Sequence, residues 1–336
     1  MKRFYSLFAL FMLAACSISA QRITSIGSEV TDGNFNTSDH YVIKLVSYKN
    51  SGTTTTLTED KYFYAVSGLG GGKNRVRLST IDTSASTSAT NTTNKFLINL
   101  CTPSVATDGV YAIGMGTNYV TSFTSGKGGF DVSSSKQNYG YKFVSNGDGT
   151  YKMQGYRGAT AGLYLTYNSS SDQVEVASSA DDAMIVKVVK VNTNLEEGKM
   201  YNLTIRGTGS NNYMVFDNGI CIKTKATKST ATDGIWFFKK DPNSLCRWYM
   251  YNAEVGLDYG VTAVTTNNSR AMFTSTPTSF LASNGKDDFI SNGGFSLIVS
   301  GTATLNDVSS ALGVWDDNAA PTDGGSSIIA TAVADA

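Results

Sequence analysis

A tryptophan and three acidic or amide residues near the end of the chain have the chemistry to bind a sugar. Asn306 and Asp307 precede Trp315, and Asp316 follows it directly. An aromatic ring can stack on the apolar face of a sugar ring, while carboxylate and amide groups bind its hydroxyls. We therefore expect Asn306, Asp307, Trp315 and Asp316 to form a ligand-binding site. The alternative is that they are turn residues at the end of a domain.

Two weaker sites of the same composition are expected upstream by analogy. Their residues are Tyr213, Asp217 and Asn218 in one segment and Tyr164, Tyr167 and Asn168 in another. The other two tryptophans, Trp236 and Trp248, lie within apolar segments, and we expect both in the core.

Residues suited to catalysis are sparse. The chain has one histidine, His40, which lies in a polar stretch and is expected to be solvated or to cap a turn. Thiol catalysis at Cys101 would need a base and an orienting group in one cleft. Glycosidases need two carboxylates across a cleft, but the adjacent acids here lie in predicted turns. These pairs are Asp181-Asp182, Glu196-Glu197, Asp287-Asp288 and Asp316-Asp317. We expect no enzymatic activity, no cofactor and no metal site.

The composition limits the class of partner. Lys and Arg together number 27 and so do Asp and Glu, so the formal net charge is zero. Nucleic-acid binding needs a basic face, because affinity comes largely from neutralising phosphates. A hydrophobic fraction of 41% is enough for a folded core. We expect a glycan or glycoprotein partner and no nucleic acid.

The first residues have the pattern of an export signal. A short basic segment precedes an apolar run over residues 4–15, which is too short for a bilayer span of about 20 residues. We expect residues 1–20 to be a signal peptide cleaved after Ala20, which makes the protein secreted or extracytoplasmic. Cys16 also follows a lipobox-like segment. Its lipidation would make the protein an outer-membrane or cell-surface lipoprotein, and we expect no other attachment to a membrane.

Export bears on the cysteines. In an oxidising compartment Cys221 and Cys246 could form a disulfide, and buried thiols are the alternative. Cys101 is expected to be buried beside residues 97–100.

The rest of the chain has the pattern of short β-strands. Apolar and polar residues alternate over short runs, which are separated by Asn-Gly and Asp-Gly steps typical of tight hairpin turns. Beyond the signal we find no long segment with helical periodicity. The sequence therefore predicts an all-β protein.

The strands recur in six units with similar openings. An acidic residue and glycine precede an aromatic residue that begins a strand, as at Asp108–Tyr111 and Asp148–Tyr151. The predicted units are 39–102, 103–148, 149–195, 196–242, 243–284 and 285–333. Regular spacing of this kind is typical of repeat architectures. Six units of four strands fit two β-trefoils. A six-bladed propeller has the same count, but the units are too uneven to favour it.

The end of the chain resembles a known family. The segments Leu305–Asp307, Leu312–Trp315 and Asp323–Ser327 resemble the ricin-type lectin-like β-trefoil repeats of secreted bacterial proteins, which often lie beside glycan-active domains. The resemblance covers about residues 39–333. The Gln-x-Trp signature of those repeats is absent, and Trp236 follows Gly-Ile instead. The resemblance implies two tandem β-trefoil-like domains, residues 21–195 and 196–336, that bind carbohydrate.

We therefore expect an exported, non-catalytic glycan-binding protein. One alternative is a structural or adhesive surface protein that binds protein or matrix. Another is an accessory module of a separate glycan-degrading enzyme. Because β-trefoils carry unrelated functions, the fold does not decide among the three.

Overall fold

A computed structural model describes most of the chain after the predicted signal peptide. The described residues are 22–50, 52–66, 75–83, 96–115, 118–124, 129–133, 140–157, 160–177, 179–206, 212–217, 221–284, 294–320 and 323–333. Residues 1–20, including Cys16, lie outside them, so the predictions of cleavage and lipidation stay predictions. In the described ranges no helix is long and apolar enough to cross a membrane.

The prediction of an all-β fold is confirmed. The described residues form twenty-five strands in two large sheets, with short 3-10 turns and no α-helix. The first sheet contains β1 Ile23–Glu29, β2 His40–Asn50, β3 Thr53–Val66, β4 Arg75–Ser79, β5 Ile98–Cys101, β6 Val110–Met115, β7 Asn118–Thr124, β8 Gly129–Ser133, β9 Tyr141–Ser145, β10 Tyr151–Gly155, β11 Tyr164–Asn168, β12 Gln173–Ala177 and β13 Ile185–Thr193.

The second sheet contains the remaining twelve strands. They are β14 Met200–Ile205, β15 Asn212–Asp217, β16 Cys221–Lys225, β17 Trp236–Lys240, β18 Arg247–Asn252, β19 Gly260–Thr262, β20 Met272–Thr274, β21 Phe280–Asn284, β22 Phe295–Ser300, β23 Ala303–Val308, β24 Ala311–Asp316 and β25 Ile328–Ala332. Each of the six units predicted from the sequence contains four of these strands, beginning with β2–β5 and ending with β22–β25.

Six strands of the first sheet close into an antiparallel ring. The order is β2, β5, β6, β9, β10 and β13, and β13 pairs back with β2. Six more strands form three hairpins, β3–β4, β7–β8 and β11–β12, and each hairpin pairs with the first strand of its own unit. The thirteenth strand, β1, pairs with β13. Closure of a ring removes the unpaired edges that an open sheet would expose.

The second sheet repeats this arrangement. Strands β14, β17, β18, β21, β22 and β25 form a closed ring. The three hairpins are β15–β16, β19–β20 and β23–β24, and β16 pairs with both β20 and β24. The two sheets therefore share one plan, in which a unit of four strands occurs three times.

Alternation along the strands builds the cores. On β13, Val186 and Val188 pack into the core of the first ring, while Val189 and Val191 point to the other face. That face is also buried, because β1 pairs with β13 and brings Ile23 against it. In the second ring Trp236 and Trp248 are fully buried, as predicted.

The first sheet ends at Thr193 and the second begins at Met200. We call the residues up to Thr193 the first half and those from Met200 the second half. The halves are packed together, because Ala112 and Tyr119 of the first form a buried cluster with Leu245 and Cys246 of the second. This junction positions the candidate site.

Candidate functional site

The structure separates the four residues of the predicted C-terminal site. Asn306 and Asp307 are neighbours on β23, so their side chains point to opposite faces. Both are buried, with exposed fractions of 4% and 3%. Asn306 donates to the Asp323 carboxylate at 3.2 Å and to the Ser326 hydroxyl at 2.9 Å, so its amide holds the turn before β25.

Asp307 anchors a network within the second half. Its Oδ2 accepts from Arg206 Nε at 2.7 Å and from Asn212 Nδ2 at 2.8 Å, while its Oδ1 accepts from Thr224 Oγ1 at 2.9 Å. These residues belong to another unit, so the carboxylate ties two hairpins together. In this structure the protein's own groups occupy the side chains of Asn306 and Asp307, which does not favour the predicted binding of a sugar by these two residues.

Trp315 and Asp316 remain accessible at the end of β24. Trp315 is partly exposed and lies opposite Thr304 on β23. Asp316 is exposed and accepts from Thr302 Oγ1 at 2.6 Å. These two side chains lack the additional polar groups that the predicted site required.

The two upstream sites are also mainly structural. Tyr167 is buried and donates its hydroxyl to Asp172 at 2.7 Å, while Asn168 donates to Glu175 at 3.2 Å. Tyr164 and Tyr213 are partly exposed at corresponding positions of their hairpins.

Asp217 forms an ion pair with Lys223, and the hydrogen bond and charge of that lysine lower the pKa of the carboxyl. The remaining predicted residue, Asn218, lies outside the described residues.

The predicted disulfide is absent. Cys221 lies on β16 with its thiol 3.8 Å from the Asp217 carbonyl oxygen, and Cys246 belongs to the buried cluster at the junction. Both are thiols in this structure, which is the alternative stated for the pair. A Cys221–Cys246 bond stays a prediction without support from their positions.

A cavity of about 390 Å³ lies between the two halves. We call it the junction cavity. Its wall includes Asn99 and Cys101 from the first half and Lys240, Asp241, Cys246 and Trp248 from the second. It forms where β5 of the first ring faces β17, β18 and the loop between them. Hydroxyl groups of Thr37, Ser38, Thr102 and Ser244 also line it.

His40 and Asn99 stiffen one wall of the junction cavity. His40 is only 3% exposed, and its Nδ1 lies 2.9 Å from Asn99 Oδ1. Burial, and then the charge of Lys240, hold the pKa of His40 well below its ordinary value. The imidazole is therefore neutral at pH 7. The prediction of a solvated histidine is wrong, because β2 carries His40 into the junction.

Lys240 spans the junction from the second half to the first. Its Nζ donates to the carbonyl oxygens of Ser38 at 2.5 Å and Asp39 at 3.1 Å, and it lies 5.9 Å from the ring centre of Trp248. Burial lowers the pKa of Lys240 to about 8, against the opposing influence of nearby thiols and carboxylates. The amine is thus mostly charged at neutral pH but is destabilised by its surroundings.

Three polar groups at the junction have no hydrogen-bond partner within the described part of the chain. They are Asn99 Nδ2, Trp248 Nε1 and Tyr119 Oη. All three residues are at least nine-tenths buried. A buried donor without a partner costs about 1–3 kcal/mol. Asn99 and Trp248 line the junction cavity, so a ligand that accepts from them recovers that free energy.

Acidic groups also line the junction cavity. Asp241 Oδ1 accepts from the Asn243 backbone N–H at 2.9 Å and Oδ2 accepts from Ser279 Oγ at 2.8 Å. Arg247 donates to Ser279 and to the Val299 carbonyl oxygen, and these bonds fix this side of the junction cavity. Glu197 supplies a second carboxylate to the wall. The junction cavity therefore offers N–H donors, hydroxyls and carboxylates together.

Sequence reasoning missed this site. Asn99, Lys240 and Asp241 carry no motif, and their juxtaposition depends on how the two halves pack. The one usable signal was Lys240, the second of two lysines that follow the apolar residues of β17.

Comparisons with known proteins do not assign the chain to a family. No family profile matches the chain, and no curated protein matches it. Among solved structures, a mosquitocidal holotoxin is 11% identical, covering 88% of this chain and 34% of its own, with a TM-score of 0.33. The chain thus spans about a third of that protein.

Two enzyme structures show similar scores. An endo-β-galactosidase from Clostridium perfringens that releases GlcNAcα1-4Gal is 9% identical, covering 92% of this chain and 70% of that one, with a TM-score of 0.34. An arabinofuranosidase complexed with arabinofuranosyl-α-1,2-xylobiose is 12% identical, covering 93% and 81%, with a TM-score of 0.33. Scores this low do not define a shared fold or function.

Proposed function

We propose that this chain is an exported, non-catalytic protein of two tandem β-trefoils that binds a glycan at their junction. The trefoil assignment is supported by the two closed six-stranded rings, each with three hairpins built from consecutive strands. The proposed domains are residues 21–195 and 196–336, after a signal peptide at 1–20. Export is supported by the composition of that signal.

The observation that carries the glycan proposal is the pair of buried N–H donors of Asn99 and Trp248 in the junction cavity. Sugar hydroxyls accept from such donors and donate to carboxylates, and Glu197 provides a carboxylate in the wall of the same cavity. The exposed edge of a sugar would also meet the hydroxyls of Thr102 and Ser244. Each group of the wall therefore has a counterpart on a polyhydroxylated ligand.

The size of the junction cavity favours a short ligand. Small-molecule sites occupy about 300–1,000 Å³, and a cavity of about 390 Å³ lies at the lower end of that range. A terminal monosaccharide or disaccharide of a larger glycan suits it better than the middle of a polysaccharide chain.

Binding without catalysis fits the state of the acids. Hydrolysis of a glycosidic bond requires two available carboxylates. Both oxygens of Asp241 already accept hydrogen bonds. His40 is buried, neutral and paired with Asn99. Among the residues that line the junction cavity, Glu197 therefore has no second carboxylate available to act with it.

A glycan array tests the proposal. We expect the purified protein to bind a subset of short glycans, and Ser244→Phe to abolish this binding because the ring fills the junction cavity. The matched control is Ser300→Phe, which adds the same side chain at an exposed strand end. Absence of any bound glycan, or equal binding by both variants, would reject the site.

A second candidate function rests on a different surface. Leu257, Tyr259, Val264 and Met272 are each 44–58% exposed around the hairpin β19–β20. Clustered exposed apolar side chains mark protein-contact surfaces, which favours the adhesive alternative. Adhesion to a deglycosylated matrix protein that is lost in Tyr259→Ser/Met272→Ser would support this role. Adhesion that requires the glycan would support the junction cavity instead.

A further inference from the structure

Two cysteines from different halves lie at the junction. Cys101 ends β5 of the first half, and Cys246 immediately precedes β18 of the second. Both are thiols in this structure, and both line the junction cavity. Cys101 also packs against the buried cluster that contains Cys246. We infer that Cys101 and Cys246 are a cross-linking site, at which a disulfide joins the two halves of the folded chain.

The charges of both thiols reach the same two side chains. The charged forms of Cys101 and Cys246 both act on the phenol of Tyr119 and on the ammonium group of Lys240. Tyr119 belongs to the first half and Lys240 to the second, which agrees with the placement of both thiols at the junction. Cys221 is on β16, in a different environment, and its thiol is directed to the carbonyl of Asp217.

The surroundings favour thiol chemistry at this point. The charge of Lys240 interacts with both sulfurs and favours the thiolate, which is the species that attacks a disulfide. Cys101 is only partly buried, which gives a small reagent access.

The backbone at Cys246 supplies a second, independent indication. Cys246 has a φ of +58°, in the left-handed region where glycine is favoured over a residue with a side chain. Such a conformation persists where the surrounding structure holds it, and it is enriched at functional positions. Here it directs a thiol into the contact between the two halves.

The reaction is thiol–disulfide exchange with a small organic disulfide as the oxidant. One protein thiolate attacks that disulfide, its S–S bond breaks, and one small thiol leaves after taking up a proton. The second protein thiolate then attacks the sulfur of the mixed disulfide and releases the second small thiol. Two protein thiols are oxidised and one small disulfide is reduced to two thiols.

The cross-link would fix the two walls of the junction cavity relative to each other. It would also close a long loop, which restricts the unfolded chain and raises the melting temperature. The inference depends on the packing of the halves and is independent of glycan binding.

Peptide mapping tests the inference without altering the chain. The purified protein is incubated with oxidised glutathione, alkylated in denaturant and digested with trypsin without reductant. Trypsin places Cys101 in peptide 96–127, Cys246 in 241–247 and Cys221 in 207–223. We expect most of peptide 241–247 to be joined to 96–127. Alkylation of both cysteines, glutathione on each, or a bond to Cys221 would overturn the inference.

Melting temperatures provide the matched controls. A reductant should lower the melting temperature of the oxidised wild-type protein by several degrees. It should have no effect on Cys101→Ser, which cannot form the bond, and should have its full effect on Cys221→Ser. A wild-type protein that melts at the same temperature with and without reductant after oxidation would contradict a stabilising cross-link.

Discussion

Trp236 and Trp248 are fully buried and differ in one hydrogen bond. Trp236 Nε1 donates to the Met214 carbonyl at 2.9 Å, whereas Trp248 Nε1 has no partner among the described residues. We expect Trp236→Phe to cost about 1–3 kcal/mol more free energy of unfolding than Trp248→Phe, because it leaves the Met214 oxygen unpaired. Denaturant unfolding of the two variants measures the difference.

The two variants should rank in the opposite order for binding. Trp248→Phe removes a donor from the junction cavity and should weaken glycan binding, while Trp236→Phe should leave it unchanged. If the two variants lose the same free energy of unfolding, Trp248 Nε1 has a hydrogen-bond partner in solution. If they bind the glycan equally well, Trp248 is not part of the binding site.

His40 gives a direct test of burial, because it is the one histidine of the chain. Burial and Lys240 depress the pKa of His40, so the folded protein binds this proton less well than the unfolded chain. Stability should therefore fall as the pH drops below the unfolded value of about 6.5. The midpoint of the imidazole Cε1–H resonance in proton NMR should lie well below the ordinary histidine value of about 6.5. A midpoint near 6.5 would indicate a solvated ring.

At the level of elements, Asp307 joins β23 to the unit that contains β14, β15 and β16. Removing a buried carboxylate from a network with charged partners costs about 2–4 kcal/mol. We expect Asp307→Ala to lower the free energy of unfolding by this amount. The exposed Asp316 on the same hairpin is the control, and Asp316→Ala should change stability by less than about 0.5 kcal/mol. Unchanged stability with loss of glycan binding in Asp307→Ala would restore the C-terminal site.

Strand β6 and the loop before β18 touch through a glycine. A Cβ atom at Gly114 would come within 2.4 Å of Leu245 Cδ2, so the halves approach closely only because that side chain is absent. Gly114→Val should destabilise the protein by about 1–3 kcal/mol through overpacking. Leu245→Ala in the same chain should recover part of that loss, as a double-mutant cycle of melting temperatures would show. Additive effects would mean that the two residues are not in contact.

The elements were predictable because their signals are local. Turn pairs such as Asn146-Gly147 fix tight connections, and Gly147 and Gly149 indeed have positive φ. Alternating residues such as those of β13 reveal the strands. The roles of Asn306 and Asp307 were not predictable in the same way. The partners Arg206 and Thr224 lie far away in sequence, and a free carboxylate has the same local pattern as a buried one.

For the whole molecule, the main consequence is that neither half contains the proposed site alone. The first half supplies Asn99, the second supplies Trp248, and Lys240 bonds the second half to the backbone of the first. No sequence pattern within one unit encodes that meeting, which explains why the repeats predict the strands but not the cavity.

Hydrogen–deuterium exchange with and without the glycan selected by the array tests the central claim most directly. Bound ligand should slow backbone exchange in residues 96–102 and 241–248, the two sides of the junction cavity, and leave residues 303–316 unchanged. Slower exchange confined to 303–316 would contradict the account and return the binding site to the C-terminal hairpin.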